Sequence, residues 1–311
     1  MTEHRHHGPH VHGPAVHADQ RKLSTALVLI GGFMAFEVAF GVIANSLALL
    51  SDAAHMLTDA VAIGLSIVAL RLAARPAKGQ LTFGFRRAEI LAAQFNGATL
   101  LVLALLIVYE GIRRLISPPH VTGATVLVVA LVGVAVNLAA TWSLSQANRQ
   151  SLNVEGAFQH ILTDLAAFIA AAIAGAVILG TGYFRADGIA SLVVSAIMLR
   201  AAYGLLRASG RVFLEAAPEG LDVQAIGRAM AAIPAVREVH DLHVWEVSSG
   251  FPALSAHVLV GQSDDCHQVR RALERLLVDR FEIQHTTLQV QHEGGELISI
   301  ERPAEDRPAV G

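Results

Sequence analysis

The sequence holds one cysteine, Cys266, in 311 residues, so an internal disulfide is excluded. Charge is scarce as well: Asp, Glu, Lys and Arg make up 16% of the chain, against 53% hydrophobic residues and a mean hydropathy of +0.50. Soluble domains carry about a quarter charged residues, and the shortfall marks a membrane protein. A clustered basic excess is missing too. The 23 Lys and Arg face 26 Asp and Glu, a formal net charge of −3, which argues against nucleic acid as a partner. Neither a Walker-type phosphate loop nor a His-Glu-x-x-His motif occurs. The opening MTEHRHHGPHVHGPAVHADQRK lacks the apolar core and small-residue cleavage site of a secretory signal peptide, so no cleavage is expected.

What the chain does have is long apolar runs. A bilayer core about 30 Å thick takes about 20 mostly apolar residues per spanning helix. About six runs qualify, 23–44, 47–73, 88–114, 122–146, 154–180 and 186–208, and short connectors rich in Pro, Gly or polar residues separate them. Arg21 and Lys22 precede the first run, Arg71, Arg75, Lys78, Arg86 and Arg87 surround the second connection, and Arg149 lies in the fourth. The positive-inside rule therefore places both termini in the cytoplasm, against a minority of Arg113, Arg114 and Arg185.

From about Gly210 the composition changes. LDVQAIGRAMAAIP reads as an amphipathic helix, and VREVHDLHVWEVS and FPALSAHVLVG as strands around the turn signal Ser249-Gly250. DDCHQVRRALERLLVDRF then returns to helical spacing and HTTLQVQ alternates like a strand. The order αββαβ is a fragment of the ferredoxin-like arrangement. The predicted fold is thus an all-α six-helix transmembrane domain over 22–209 and a cytoplasmic ferredoxin-like α/β domain over 210–294. A disordered His-rich tail over 1–21 and a disordered tail over 295–311 flank them.

Ionisable residues inside these runs need an explanation, because each charged group at the centre of a spanning helix costs about 2.5–3.5 kcal/mol on insertion scales. SDAAHMLTDAVAIGLSIVAL carries Asp52, His55 and Asp59 on one helical stripe. The five-residue pattern HMLTD, His55 to Asp59, recurs as HILTD, His160 to Asp164, in the fifth run. A single pair reads equally well as a local hydrogen bond; the duplicate favours a shared metal site. Two imidazoles and two carboxylates form a tetrahedral zinc complement whose charge cancels that of the ion. One difficulty is level: His55 lies about ten residues from the outer end of its run and His160 about twenty from its own, an offset of about 15 Å. Glu37, Asn45, Glu89, Asn137 and Asp187 could each line an ion path, and are expected rather to cap helices or bond across them.

The stretches NSLALLSDAAHMLTD, TFGFRRAEILAA, HILTD, ADGIASLVVS and VHDLHVW together resemble the cation diffusion facilitator family of zinc transporters, over about residues 20–293. The resemblance implies a homodimer of six-helix units that exports Zn²⁺ in exchange for protons, with His55, Asp59, His160 and Asp164 as the transport site. It also implies a regulatory metal site at His240, His257 and His292, with His243, His267 and His285 as a second candidate set. Imidazole donors suit zinc, and cadmium or cobalt after it, over manganese. The family's long His-rich loop between the fourth and fifth helices is missing. His4, His6, His7, His10, His12 and His17 of the tail are expected to bind metal transiently, and Cys266 to be a free thiol.

The expected function is alternating-access antiport of Zn²⁺ against protons across the cell's inner membrane. Protons compete for the same lone pairs, because an ordinary histidine titrates near pH 6.5. Two rival classes also use a metal site in a membrane. A membrane zinc sensor would need an output module, and no such motif is visible. An intramembrane metallohydrolase would need a spare general base beside the quartet.

Overall fold

The computed structural model describes residues 13–43, 47–118 and 123–293, with the side chains of 13–18, 37, 40–43, 47–55, 58 and 125 excepted. The elements are α1 (Gly13–Ile43), α2 (Leu47–Ala73), α3 (Ala88–Ile116), α4 (Gly123–Ser145), α5 (Leu152–Thr181) and α6 (Arg185–Phe213), then α7 (Val223–Ala231), β1 (Val236–Ser248), β2 (Phe251–Val260), α8 (Cys266–Phe281) and β3 (His285–His292). They form two compact units, Met1–Ala216 with Glu246–Phe251, and Ala217–Trp245 with Pro252–Gly311.

The first unit is helical. Four of its helical segments, Ala88–Ile116, Val126–Ser145, Leu152–Thr181 and Arg185–Phe213, are long and apolar enough to cross a bilayer. One expectation is corrected at the N-terminus: α1 starts at Gly13, inside the stretch expected to be a disordered tail. Pro14 falls in its first turn, where a missing N–H is no loss and the fixed φ suits a helix. The tail residues His4, His6, His7, His10 and His12 lie outside the described residues, as does the tail 295–311.

α1 packs on α2, α3 on α6 and α4 on α5, while α2 and α3 both lean on α5. Leu23, Ile30, Ile63, Ile67, Leu144 and Ile161 fill one core, and Leu100, Ala104, Val194 and Met198 fill another between α3 and α6. Large apolar side chains such as Leu106, Val128 and Ile173 point outward, exposed, where lipid tails would cover them. Lipid gives apolar helices no hydrophobic reason to associate, so close backbone approach matters more than in water. At the α4–α5 crossing a Cβ on Gly175 would lie 2.9 Å from the Leu127 backbone nitrogen, and one on Gly123 would lie 2.9 Å from the Gly175 carbonyl oxygen.

The second unit follows the order αββαβ, with sheet order β1-β2-β3. β2 and β3 run parallel from Ala253↔His285 to Val260↔His292, and a parallel pair needs a crossover, which α8 supplies. Ile226 and Met230 of α7 and Leu273 and Leu277 of α8 close over Leu254, Val258 and Val260. In β1, Val239 and Leu242 both pack on this core although they are three residues apart. Asp241, at φ 50°, takes up the extra residue as a bulge does.

Asp265 caps α8, its carboxylate accepting from the backbone N–H groups of Gln268 (3.1 Å) and His267 (2.9 Å). The bond from Gln268 foremost holds its pKa below the ordinary 3.8. A depressed folded-state value means that the cap stabilises fully above the ordinary value and fades as the pH falls through the depressed one. In Asp265→Ala, amide exchange at the start of α8 should therefore quicken at neutral pH, and the difference from wild type should shrink on acidification. At the other unit, Gly175→Val should destabilise the α4–α5 crossing by about 1–3 kcal/mol, read as a lower thermal midpoint of the protein in detergent.

Candidate metal centre

α2 and α5 meet antiparallel, and the meeting point is polar. Asp59 and His160 are 2% and 1% exposed, and Nε2 of His160 lies 2.5 Å from Oδ1 of Asp59. Asp164 follows His160 by one turn, so the same face of α5 presents both. One donor atom from each of Asp59, His160 and Asp164 lies within 4.8 Å of the others. Among the described residues this is the one group of at least three His, Cys, Asp or Glu so arranged. His55 stands one turn before Asp59 on α2, but its side chain, like that of Asp52, lies outside the described residues.

A cavity of about 220 Å³ opens beside this group, lined by Asp59, Asp164 and Asn137 among Ile30, Met56 and Phe168. Nδ1 of His160 is buried with no hydrogen-bond partner, which for a polar atom costs about 1–3 kcal/mol. The 2.5 Å contact is itself informative. Ligands of a tetrahedral zinc at about 2.0–2.1 Å from the ion stand about 3.3 Å from each other. Asp59 and His160 therefore stand as a hydrogen-bonded pair, about 0.8 Å closer than two ligands of one tetrahedral ion would stand.

The expected difference in level between the two patterns resolves in two ways. The contact joins His160 to Asp59, one turn further along α2 than His55. The helix ends also are not level: Asn153, the second residue of α5, bonds to Ser66, seven residues short of the end of α2.

Three of the polar residues expected to be structural have structural partners. Glu89 accepts from Ser151 Oγ (3.2 Å), Asp187 takes Nη1 of Arg114 (2.5 Å), and Asn137 donates to the Gly133 carbonyl (3.1 Å) while also lining the cavity. Glu37 and Asn45 lie outside the described residues.

Residues 23–214 match the family of the cation efflux transmembrane domain, and residues 218–293 that of the cation efflux protein cytoplasmic domain. The chain belongs to the cation efflux family. It is a transporter and not an enzyme. The cadmium, cobalt and zinc/H(+)-K(+) antiporter of Bacillus subtilis (strain 168) is 35% identical over 89% of this chain and 90% of its own. The metal cation efflux system protein CzcD of Cupriavidus metallidurans is 39% identical over 88% of this chain and 87% of its own. The zinc transporter ZitB of Escherichia coli (strain K12) is 38% identical over 88% of both.

In the second unit of this cation efflux protein, the first candidate set, His240, His257 and His292, is brought together only in part, and the second is spread over three elements. His240 and His257 on neighbouring strands meet edge to face with ring centroids 5.3 Å apart. His292 pairs with Val260, whose side chain faces the helices, whereas His257, three residues earlier, pairs with Gln289 on the opposite face. The His292 ring instead donates from Nε2 to the Asp264 carbonyl at 2.9 Å. His243, His267 and His285 lie on β1, α8 and β3, His285 being paired with Ala253 at the far end of the strand from His292. Cys266 is a half-buried free thiol.

Sequence reading missed Ser66, Asn96 and Asn153, buried between α2, α3 and α5. Spacing carried a signal for two of them: Ser66 follows Asp59 by seven residues and Asn153 precedes His160 by seven, which keeps each on its helix's inward face. If the trio holds the ion, zinc titration of the full chain in detergent should lose one ion's worth of binding in Asp59→Asn and in Asp164→Asn, with helicity unchanged. Wild-type stoichiometry in both would place the ion elsewhere.

Proposed function

We propose that this cation efflux protein exports Zn²⁺ from the cytoplasm in exchange for protons, by alternating access at a site made of His55, Asp59, His160 and Asp164. The observation that carries the reading is the buried Asp59–His160 contact with Asp164 beside it. Its geometry suits a proton or an ion, but not both at once, and mutual exclusion at one site is what antiport requires. Two carboxylates cancel the charge of a divalent ion in an apolar surround, and imidazole nitrogen favours zinc, cadmium and cobalt over ions that prefer oxygen alone. The names of the Bacillus and Escherichia relatives include zinc, cadmium and cobalt.

The remaining architecture is part of the same proposal. α1 and α2, at 31 and 27 residues, are long enough to join the four apolar segments as six crossings, with both termini in the cytoplasm. The second unit, with helices over one face of its sheet, is read as a ferredoxin-like cytoplasmic domain that pairs two protomers into a homodimer. The adjacent His240 and His257 are its best-placed metal donors.

In proteoliposomes with an imposed pH gradient, His160→Ala and Asp164→Ala should each cut Zn²⁺-driven proton flux at least about 100-fold, since breaking a buried charged set costs about 3–5 kcal/mol. Acidifying the metal-loading side by one unit should raise the apparent KM for Zn²⁺ by up to about tenfold for each proton displaced. Wild-type flux in both variants, or a KM indifferent to pH, would defeat the proposal.

A further inference from the structure

Seven residues beyond the metal centre, α2, α3 and α5 enclose a second polar cluster. Ser66, Asn96 and Asn153 are each 0% exposed. Asn96 donates from Nδ2 to Ser66 Oγ (3.2 Å), Asn153 donates from Nδ2 to the Ser66 carbonyl (2.8 Å), and Ser66 Oγ donates to the Ala62 carbonyl (3.0 Å). Each carboxamide thus donates one N–H to the same serine. Each is left with a buried carbonyl oxygen, Asn96 Oδ1 and Asn153 Oδ1, that has no hydrogen-bond partner. Gly156 packs beside the cluster: a Cβ there would sit 3.0 Å from Leu205 Cδ2 and, in ordinary contact, 3.5 Å from Asn96 Nδ2.

Packing alone does not account for two orphaned acceptors, because an apolar side chain of similar size would fill the same space without desolvating an amide. The position of the cluster supplies another reason. Along both antiparallel helices it lies on one side of Asp59 and His160, about 10 Å away at 1.5 Å per residue. The cavity lies on the other side, its remaining α2 and α5 lining being Met56, before Asp59, and Ala167, Phe168 and Ala171, after Asp164. Open space thus reaches the metal centre from one direction, and a closed polar plug faces it from the other. That plug stands toward the end of α2 at Ala73 and the start of α5 at Leu152, the ends read above as cytoplasmic.

We propose that Ser66, Asn96 and Asn153 form an oxygen-lined waypoint through which a partly hydrated divalent cation passes between the cytoplasm and the metal centre. This rests on the transport reading above. Carbonyl and hydroxyl oxygens replace water ligands as an ion sheds its shell. Because the cluster carries no net charge, it does not hold a divalent ion as the two carboxylates do, and the ion moves on. With no ion present, the same contacts to Ser66 tie α2, α3 and α5 together and keep this side shut.

The test measures Zn²⁺ transport by the full chain in proteoliposomes. Asn96→Leu and Asn153→Leu should lower the maximal rate at least about tenfold, with zinc titration of the metal centre and thermal midpoint near wild type. Asn153→Asp, near-isosteric but anionic, should hold the ion longer, lowering the apparent KM and the maximal rate together by several-fold. Wild-type rates in the Leu variants overturn the waypoint, as does a Leu-variant rate loss matched by a fall in thermal midpoint. An unchanged KM in Asn153→Asp overturns it as well; if that variant does not assemble, the Leu pair decides. Asp59→Ala separates the two readings: full flux in that variant defeats the transport proposal itself, whereas abolished flux beside wild-type amide variants defeats the waypoint alone.

Discussion

A carboxylate and an imidazole buried against each other between two antiparallel helices constrain everything else in the helical unit. Neither Asp59 nor His160 is stable alone in an apolar interior, and together they fix the level at which α2 meets α5. Once that level is set, Asp164 falls beside the pair by helical repeat, and Ser66 and Asn153, seven residues away in opposite chain directions, fall opposite each other. A single polar contact therefore aligns both the metal centre and the amide cluster.

The rest of the unit supports that alignment both by aliphatic cores and by close backbone contact. Gly123 and Gly175 bring α4 onto α5 on the flank where Asn137 and Phe168 line the cavity. Gly156 brings α5 against Leu205 of α6. The second unit has its own core, rich in leucine and valine, under two helices.

Much of this was legible beforehand for physical reasons that act locally. Apolar runs of about 20 residues announce spanning helices because a bilayer demands them. The repeated HMLTD and HILTD stand out because ionisable groups are otherwise kept from such runs. The order αββαβ followed from changes of hydrophobic period. The histidines of the second unit were not legible as a set. Which face a strand residue occupies depends on pairing register and on bulges, and Asp241 adds one residue that alternation alone does not reveal.

The start of α1 was misplaced because a Gly-, Pro- and His-rich composition suggests disorder, whereas Pro14 is compatible with a first helical turn. By itself the sequence determined which residues can bind metal and which helices carry them, since donor chemistry and helical repeat are properties of a short stretch of chain. Only the tertiary structure decided that His160 faces Asp59, that the helix ends are staggered, and that two asparagine oxygens are left without partners. Those facts arise from how far one helix slides along another, and that is settled by contacts between residues about a hundred positions apart in the chain.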